Sequence, residues 1–247
     1  MKKIFTLLLL LAMMMGKNAK AQYVTIPDTN FVNWLKGNGY TAAFNGNMMD
    51  TSNTLITLAT NINCTNQNIT NLFGIQYFTN LSSLDCSYNQ LTNLSKLPTN
   101  LQSLYCNTNL LNNLPGLPTL LTRLECVNNQ ISNLPALPSG LLYLWCHTNP
   151  INNLPTLPST LIELHCEGCS LTNLPSLPNT LQILNCNSNQ LPILPALSLN
   201  LTELICDNIG LSSLPSLPST LQILVCNNNQ LSALPMLPSG LLELYCN

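Results

Sequence analysis

The side chains able to do chemistry in this chain fall into columns. Tyr105, Glu125, Trp145 and His165 recur at intervals of twenty residues, as do Arg123, Tyr143 and Glu163, and again His147 and Glu167. Imidazoles beside carboxylates could move protons or hold a metal, and aromatics beside a guanidinium could grip a ligand. Catalysis needs such groups in a pocket that excludes water, and no GxSxG, Walker, HExxH or Gly-rich phosphate-cradling sequence occurs. No catalytic residue is therefore assigned. His147, His165 and Glu167 have no diagnostic metal-ligand spacing, so neither a metal nor another cofactor is expected. Large rigid aromatics among Arg, His and carboxylates are the usual anchors of recognition surfaces, and these nine residues form the candidate ligand-contacting set. Further along the same columns, Ile183, Ile205, Ile223 and Val225 are bordered by Glu203, Asp207 and Glu243. Exposed apolar side chains in a patch suggest a partner site, although β-branched residues also simply suit strands.

The elements that must position these residues follow from a twenty-residue unit, L-x-x-L-x-C-x-x-N-x-L followed by x-x-L-P-x-L-P-x-x. Leu101, Leu104, Cys106, Asn109 and Leu111, then Leu114, Pro115, Leu117 and Pro118, display it. Cys marks the register at 86, 106, 126, 146, 166, 186, 206, 226 and 246, and Cys64 precedes the first of these by 22 residues. The organisation expected is a lead-in unit over 59–80, eight repeats over 81–240 and a stub over 241–247. A segment such as Leu104-Tyr105-Cys106 alternates inward and outward, as a short strand does. Twenty residues cannot hold that strand, a full helix and two turns, and Pro twice per unit blocks a regular helix on the return side. That side is expected to be extended or polyproline-like. The inward Leu have no core until a neighbouring unit stacks on them, and each then contributes about 1.5–3 kcal/mol. Successive strands are expected to pair as one parallel sheet, about 4.8 Å apart.

This pattern resembles the leucine-rich-repeat family, LxxLxLxxN/CxL, with Cys at the third Leu position, across roughly 59–247. The added Leu-Pro-x-Leu-Pro segment looks like the short bacterial-type repeat of Gram-negative effectors and cell-surface proteins. The resemblance implies a leucine-rich-repeat solenoid, α/β-horseshoe-like, with one parallel sheet on its concave face. It also implies a structural ladder of Asn89, Asn109, Asn129, Asn149, Asn189 and Asn229, whose amides can satisfy backbone groups of the turn after each strand. Gln67, Cys169 and Ile209 depart from that column; Cys169 fits the family's N/C alternative, and at Ile209 a local gap is expected. Residues 22–58 read as an N-terminal cap. Asp28 precedes a one-sided apolar pattern, which predicts a short helix whose Phe31, Trp34 and Leu35 cover the first repeat. Similar bacterial proteins often carry a calcium-loop-like stretch there, but Asn45–Asp50 retains one carboxylate, too few for such a site. Some similar effectors also carry a C-terminal ubiquitin-ligase domain, an enzymatic reading that would need a domain beyond Asn247.

Counted from Leu81, every charged residue except Lys96 lies at position three, five or seven of its unit, as do both His and Tyr105, Tyr143, Trp145 and Tyr245. The return side is almost wholly Asn, Ser, Thr, Leu and Pro, so the concave face is expected to carry the variable chemistry. The eleven Cys invite a disulfide reading, but identical register sets neighbouring thiols about 4.8 Å apart. That exceeds the usual Cβ separation of a disulfide, and a straight row cannot converge on a zinc ion. Buried free thiols acting as small hydrophobes are expected, with Cys169 the exception to watch. The N-x-S/T matches, such as Asn63 to Thr65 and Asn68 to Thr70, are common in any Asn-rich chain and carry little weight.

Only 6% of the 247 residues are charged, 7 Lys+Arg against 9 Asp+Glu, where about 25% is usual. Nucleic acid needs clustered cations, so no nucleic-acid partner is expected, and a hydrophobic share of 46% excludes charge-driven disorder. Residues 1–21 read as a signal peptide: Lys2 and Lys3, an apolar stretch from Ile4 to Met15, and Ala19-Lys20-Ala21 as cleavage site. That stretch is too short to span a bilayer, and no Cys near the cleavage point suggests a lipid anchor. Removal leaves Lys36, Lys96 and Arg123 against nine acids, a net charge of −6. No polar cap closes the last unit, so the natural chain is expected to continue past Asn247. The expectation is a secreted or cell-surface, monomeric, non-enzymatic recognition module without a membrane span, binding protein or carbohydrate; a passive surface stalk is the alternative.

Overall fold

The computed structural model describes residues 21–247; the expected leader, apart from Ala21, lies outside the described residues. Ten three-residue strands form one parallel sheet: β4 (Asn61–Asn63), β5 (Ser83–Asp85), β6 (Ser103–Tyr105), β7 (Arg123–Glu125), β8 (Tyr143–Trp145), β9 (Glu163–His165), β10 (Ile183–Asn185), β11 (Glu203–Ile205), β12 (Ile223–Val225) and β13 (Glu243–Tyr245). Each pairs only with its sequence neighbours. The register steps by 22 residues from β4 to β5, where Asn61 faces Ser83, and by 20 thereafter. The molecule is a leucine-rich solenoid with the sheet along its concave face.

No helix forms on the return side of repeats 81–240. Each return ends in a tight turn in which the N–H of the first Leu meets the carbonyl of the preceding Pro or, in one unit, Ser198, as Leu121 does with Pro118 at 3.1 Å. Proline can serve there because the turn asks it for an acceptor and not a donor. The Leu or Ile at positions one, four and eleven and the Cys at position six are solvent-free in nearly every unit, and they form a single continuous core.

After each strand the chain turns sharply because position eight is left-handed: Tyr88, Thr108, Asn128, Thr148, Gly168, Ser188, Asn208 and Asn228 have φ between 52° and 58°. That turn swings the next side chain inward. Asn149 shows the result: its Nδ2 donates to the carbonyls of Cys126, Cys146 and His147 at 2.9, 3.0 and 3.2 Å, and its Oδ1 accepts from Ile131 N–H at 3.0 Å. Asn89, Asn109, Asn129, Asn189 and Asn229 repeat the arrangement. At Ile209 the side-chain rung is missing as expected, but the backbone closes the gap, because Leu191 N–H donates to the Ile209 carbonyl at 2.8 Å.

All eleven thiols are free. Those at 64, 86, 106, 126, 146, 166, 186, 206 and 226 are buried, Cys169 is half-buried and Cys246 exposed. Several donate weakly to the next strand, Cys86 Sγ to the Tyr105 carbonyl at 3.4 Å among them. Burial pushes eight of these thiol pKa values up, to about 12 at Cys64 and Cys186 and about 11 at Cys226, and at Cys146 the hydrogen bond with Cys169 raises it first and burial adds to that.

The N-terminal part holds more structure than the sequence reading anticipated. Helix α1 (Thr29–Leu35) begins at Asp28 as expected, but Phe31, Val32 and Leu35 are its buried residues, and Trp34 packs only partly against the core. Beside it, β1 (Tyr23–Thr25), β2 (Phe44–Asn45) and β3 (Met48–Asp50) make a small antiparallel sheet in the order β1-β3-β2, followed by α2 (Thr54–Thr57). The stretch compared with a calcium loop is the hairpin between β2 and β3, turning at Gly46 with φ 60°. Asp28 joins the two parts: Oδ1 caps Phe31 N–H at 2.9 Å, while Oδ2 takes Thr70 N–H and Oγ1 at 2.7 Å and Asn71 N–H at 3.0 Å.

Candidate functional site

Strands β6 to β9 bring the candidate residues into adjoining columns. Arg123 faces Tyr143, which faces Glu163; Tyr105 faces Glu125, then Trp145, then His165. Because side chains alternate along a strand, Leu104, Leu124, Leu144 and Leu164 enter the core while their neighbours stand on the opposite face.

The groups form two linked contacts and one separate pair. The Arg123 guanidinium lies 3.9 Å above the Tyr143 ring and 5.8 Å from that of Trp145, a cation–π arrangement, and its Nη1 pairs with Glu125 Oε1 at 3.2 Å. Trp145 stacks obliquely on His165, with centroids 5.0 Å apart, and its Nε1 donates to Glu163 Oε2 at 3.4 Å. His165 Nε2 is 4.0 Å from the same oxygen. Further along, His147 Nδ1 is 3.5 Å from Glu167 Oε1 and 3.3 Å from Thr148 Oγ1. Burial lowers the His147 pKa, and the Glu167 carboxylate opposes that effect without reversing it. Glu167 Oε2 is enclosed without any hydrogen-bond partner, an acceptor left open.

Two residues behave differently from expectation. Glu125 is not presented to solvent; only 9% exposed, it is held by Arg123 on one oxygen and Asn107 Nδ2 at 3.2 Å on the other. A carboxylate between a guanidinium and an amide gains more from those bonds than from water, so Glu125 positions Arg123. Tyr105 shares its column, but among the described residues it makes no side-chain hydrogen bond. Sequence reasoning also missed Asn107, which additionally accepts from Val127 N–H at 2.8 Å. One Asn in a chain so rich in Asn carries no distinguishing signal.

The sheet face is open. A groove of about 690 Å³ lies along its edge, lined by residues including Thr160, Ile162, Thr180 and Gln182, and none of the nine candidates reaches it. Among the described residues no group of three or more His, Cys, Asp or Glu could hold a metal ion, and no helix is long and apolar enough to cross a membrane.

Solved structures of known proteins share this architecture. YopM from Yersinia enterocolitica is 37% identical over 68% of this chain and 39% of its own, with a TM-score of 0.65. YopM from Yersinia pestis, a leucine-rich effector protein, is 30% identical over 78% of this chain and 63% of its own, with a TM-score of 0.66. This chain is a solenoid of twenty-residue leucine-rich repeats like those of its bacterial neighbours. The functional domain of InlJ from Listeria monocytogenes, which includes a cysteine ladder, is a further neighbour, at 27% identity over 87% of this chain and 54% of its own and a TM-score of 0.62. The leucine-rich-repeat chain thus spans less than two thirds of the length of each of these structures. No protein-family profile and no curated relative matches the sequence.

Proposed function

We propose that this leucine-rich-repeat chain is an exported, non-catalytic recognition module that binds a protein or glycan ligand across the concave sheet face. The observation that carries the reading is segregation: from Leu81 on, the charged residues other than Lys96, both His and most aromatics stand on one face, while the return side is nearly featureless. Its neighbours include an effector protein, and the leader over 1–21 supplies a route of export. The open face, without a water-excluding pocket, favours binding over catalysis. Trp145, Tyr143, His165 and Arg123 supply the contact area, with Glu163 and Glu125 orienting them; His147, Glu167 and Tyr105 form the border.

A passive stalk is the second reading. What favours it is the self-sufficiency of the central cluster, in which Arg123 already pairs with Glu125 and Glu163 already meets Trp145 and His165. The triple change Tyr143→Ala, Trp145→Ala, His165→Ala separates the two when wild type and variant are compared on panels of immobilised glycans and extracellular proteins. A recognition module loses its ligands at unchanged fold by circular dichroism. Survival of every measured interaction would leave the stalk.

A further inference from the structure

The C-terminal half of the same face differs in kind from the aromatic cluster. From residue 124 to 247 the sequence contains six acids and not one Lys or Arg. Arg123, the last cation, is committed to Glu125 and Tyr143. Glu203, Asp207 and Glu243 have no basic side chain within ion-pair distance among the described residues. The register of β9 to β13 sets Glu163, Ile183, Glu203, Ile223 and Glu243 in a single line, one per strand. Beside that line stand Ile205 and Val225, paired in the next column.

Adjacent strands lie about 4.8 Å apart, so carboxylates recur about every 9.6 Å with an isoleucine halfway between. An α-helix laid across the strands rises 1.5 Å per residue, so its residues i, i+3 or i+4, and i+7 project from one side at about 0, 5 and 10.5 Å. That matches both the acidic and the aliphatic interval within the reach of a lysine side chain. A polyproline helix repeats about every 9.3 Å and meets the carboxylates, but offers nothing at the halfway point. An extended strand shows one face about every 6.6 Å and meets neither.

We propose that this acidic, isoleucine-studded half of the concave face docks a basic amphipathic helix of a partner protein, with Lys or Arg every seventh residue against Glu163, Glu203 and Glu243 and aliphatic residues between them on Ile183 and Ile223. The proposal rests on the recognition reading above and narrows it to one partner chemistry at one half of the face. Charge complementarity selects the partner, and the burial of the isoleucines holds it.

The test uses the full chain and a fluorescent synthetic helical peptide of about five turns, with Lys at heptad spacing and Leu midway. Controls are a scrambled peptide of identical composition and one with Glu in place of Lys. Fluorescence anisotropy is expected to show binding roughly tenfold tighter than to the scrambled peptide, weakening as salt rises, and none to the acidic peptide. Glu203→Gln with Glu243→Gln is expected to weaken binding about tenfold, as is Ile223→Ser, each at an unchanged melting temperature, while Asn113→Ala, at an exposed position of the return side, leaves it unaltered. Equal affinity for the scrambled peptide, or indifference to the Glu203 and Glu243 changes, overturns the proposal. If that happens while the glycan or protein panels still yield ligands sensitive to the Tyr143, Trp145 and His165 changes, only the basic-helix assignment falls.

Discussion

Asp28 does four things with two oxygens, capping α1 and taking three donors from Thr70 and Asn71. Burial alone would raise its pKa, but the bonds from Phe31, Thr70 and Asn71 win, and the value falls below the ordinary carboxylate range. A depressed carboxylate contributes stability above its unfolded pKa, about 3.9, and loses it as pH falls through the folded value. Asp28→Ala is therefore expected to lower stability at neutral pH by about 2–4 kcal/mol in urea unfolding, a difference that narrows once the wild-type carboxyl is itself protonated. Cys169 is the other residue set apart by its surroundings. The hydrogen bond with Cys146 lowers its pKa more than burial raises it, aided by the N–H groups of Asn149 and Ile151. Alkylation of the folded protein near neutral pH is expected to label Cys169 and the exposed Cys246, leaving the other nine thiols until denaturant is added. Mass spectrometry finding Cys106 or Cys146 labelled at a comparable rate would contradict this.

At the scale of the repeat, the Asn rung is what lets so tight a turn be buried. Asn149→Ala leaves the Ile131 N–H without a partner and takes one donor each from the carbonyls of Cys126, Cys146 and His147, with an expected cost of about 1–3 kcal/mol by denaturant titration. Cys169 occupies the same position after a left-handed Gly168, and its Sγ reaches the Cys146 carbonyl only at 3.7 Å. Because the backbone there already has the conformation of an Asn unit, Cys169→Asn is expected to raise stability by about 1 kcal/mol. Ile209 offers no such gain, since its own carbonyl already satisfies Leu191.

The whole molecule carries a row of nine buried thiols whose folded pKa values are all raised. For such groups the stabilisation is complete below the unfolded pKa, about 8.5, and is lost as pH climbs toward the folded value. Each thiol that ionises only on unfolding removes about 1.4 kcal/mol per pH unit in that window. The stability of the reduced protein, followed by circular dichroism, is expected to stay level from neutral pH to about 8.5 and then to drop steeply. The chain should unfold before native thiols reach the range of about 11 to 12 found at Cys64, Cys186 and Cys226. A profile that stays flat to pH 11 would show that the thiols are not jointly buried.

The repeat was legible because stacking makes each unit repeat one local problem: Leu104, Cys106 and Asn109 recur at twenty residues, and the physics that places one places all. Columns of outward residues follow from that register, so the neighbours Arg123, Tyr143, Trp145 and His165 could be named from spacing alone. The small sheet of β1 to β3 was not legible, because two- and three-residue strands have no periodicity and form only against each other. Nor could spacing say which outward carboxylates face solvent. Glu125 and Glu203 occupy the same kind of strand, yet one is enclosed by Arg123 and Asn107 and the other stands without a cation. Pattern determined which face each side chain takes; only the packed neighbours, contributed by units twenty residues away, decided whether its charge was already answered.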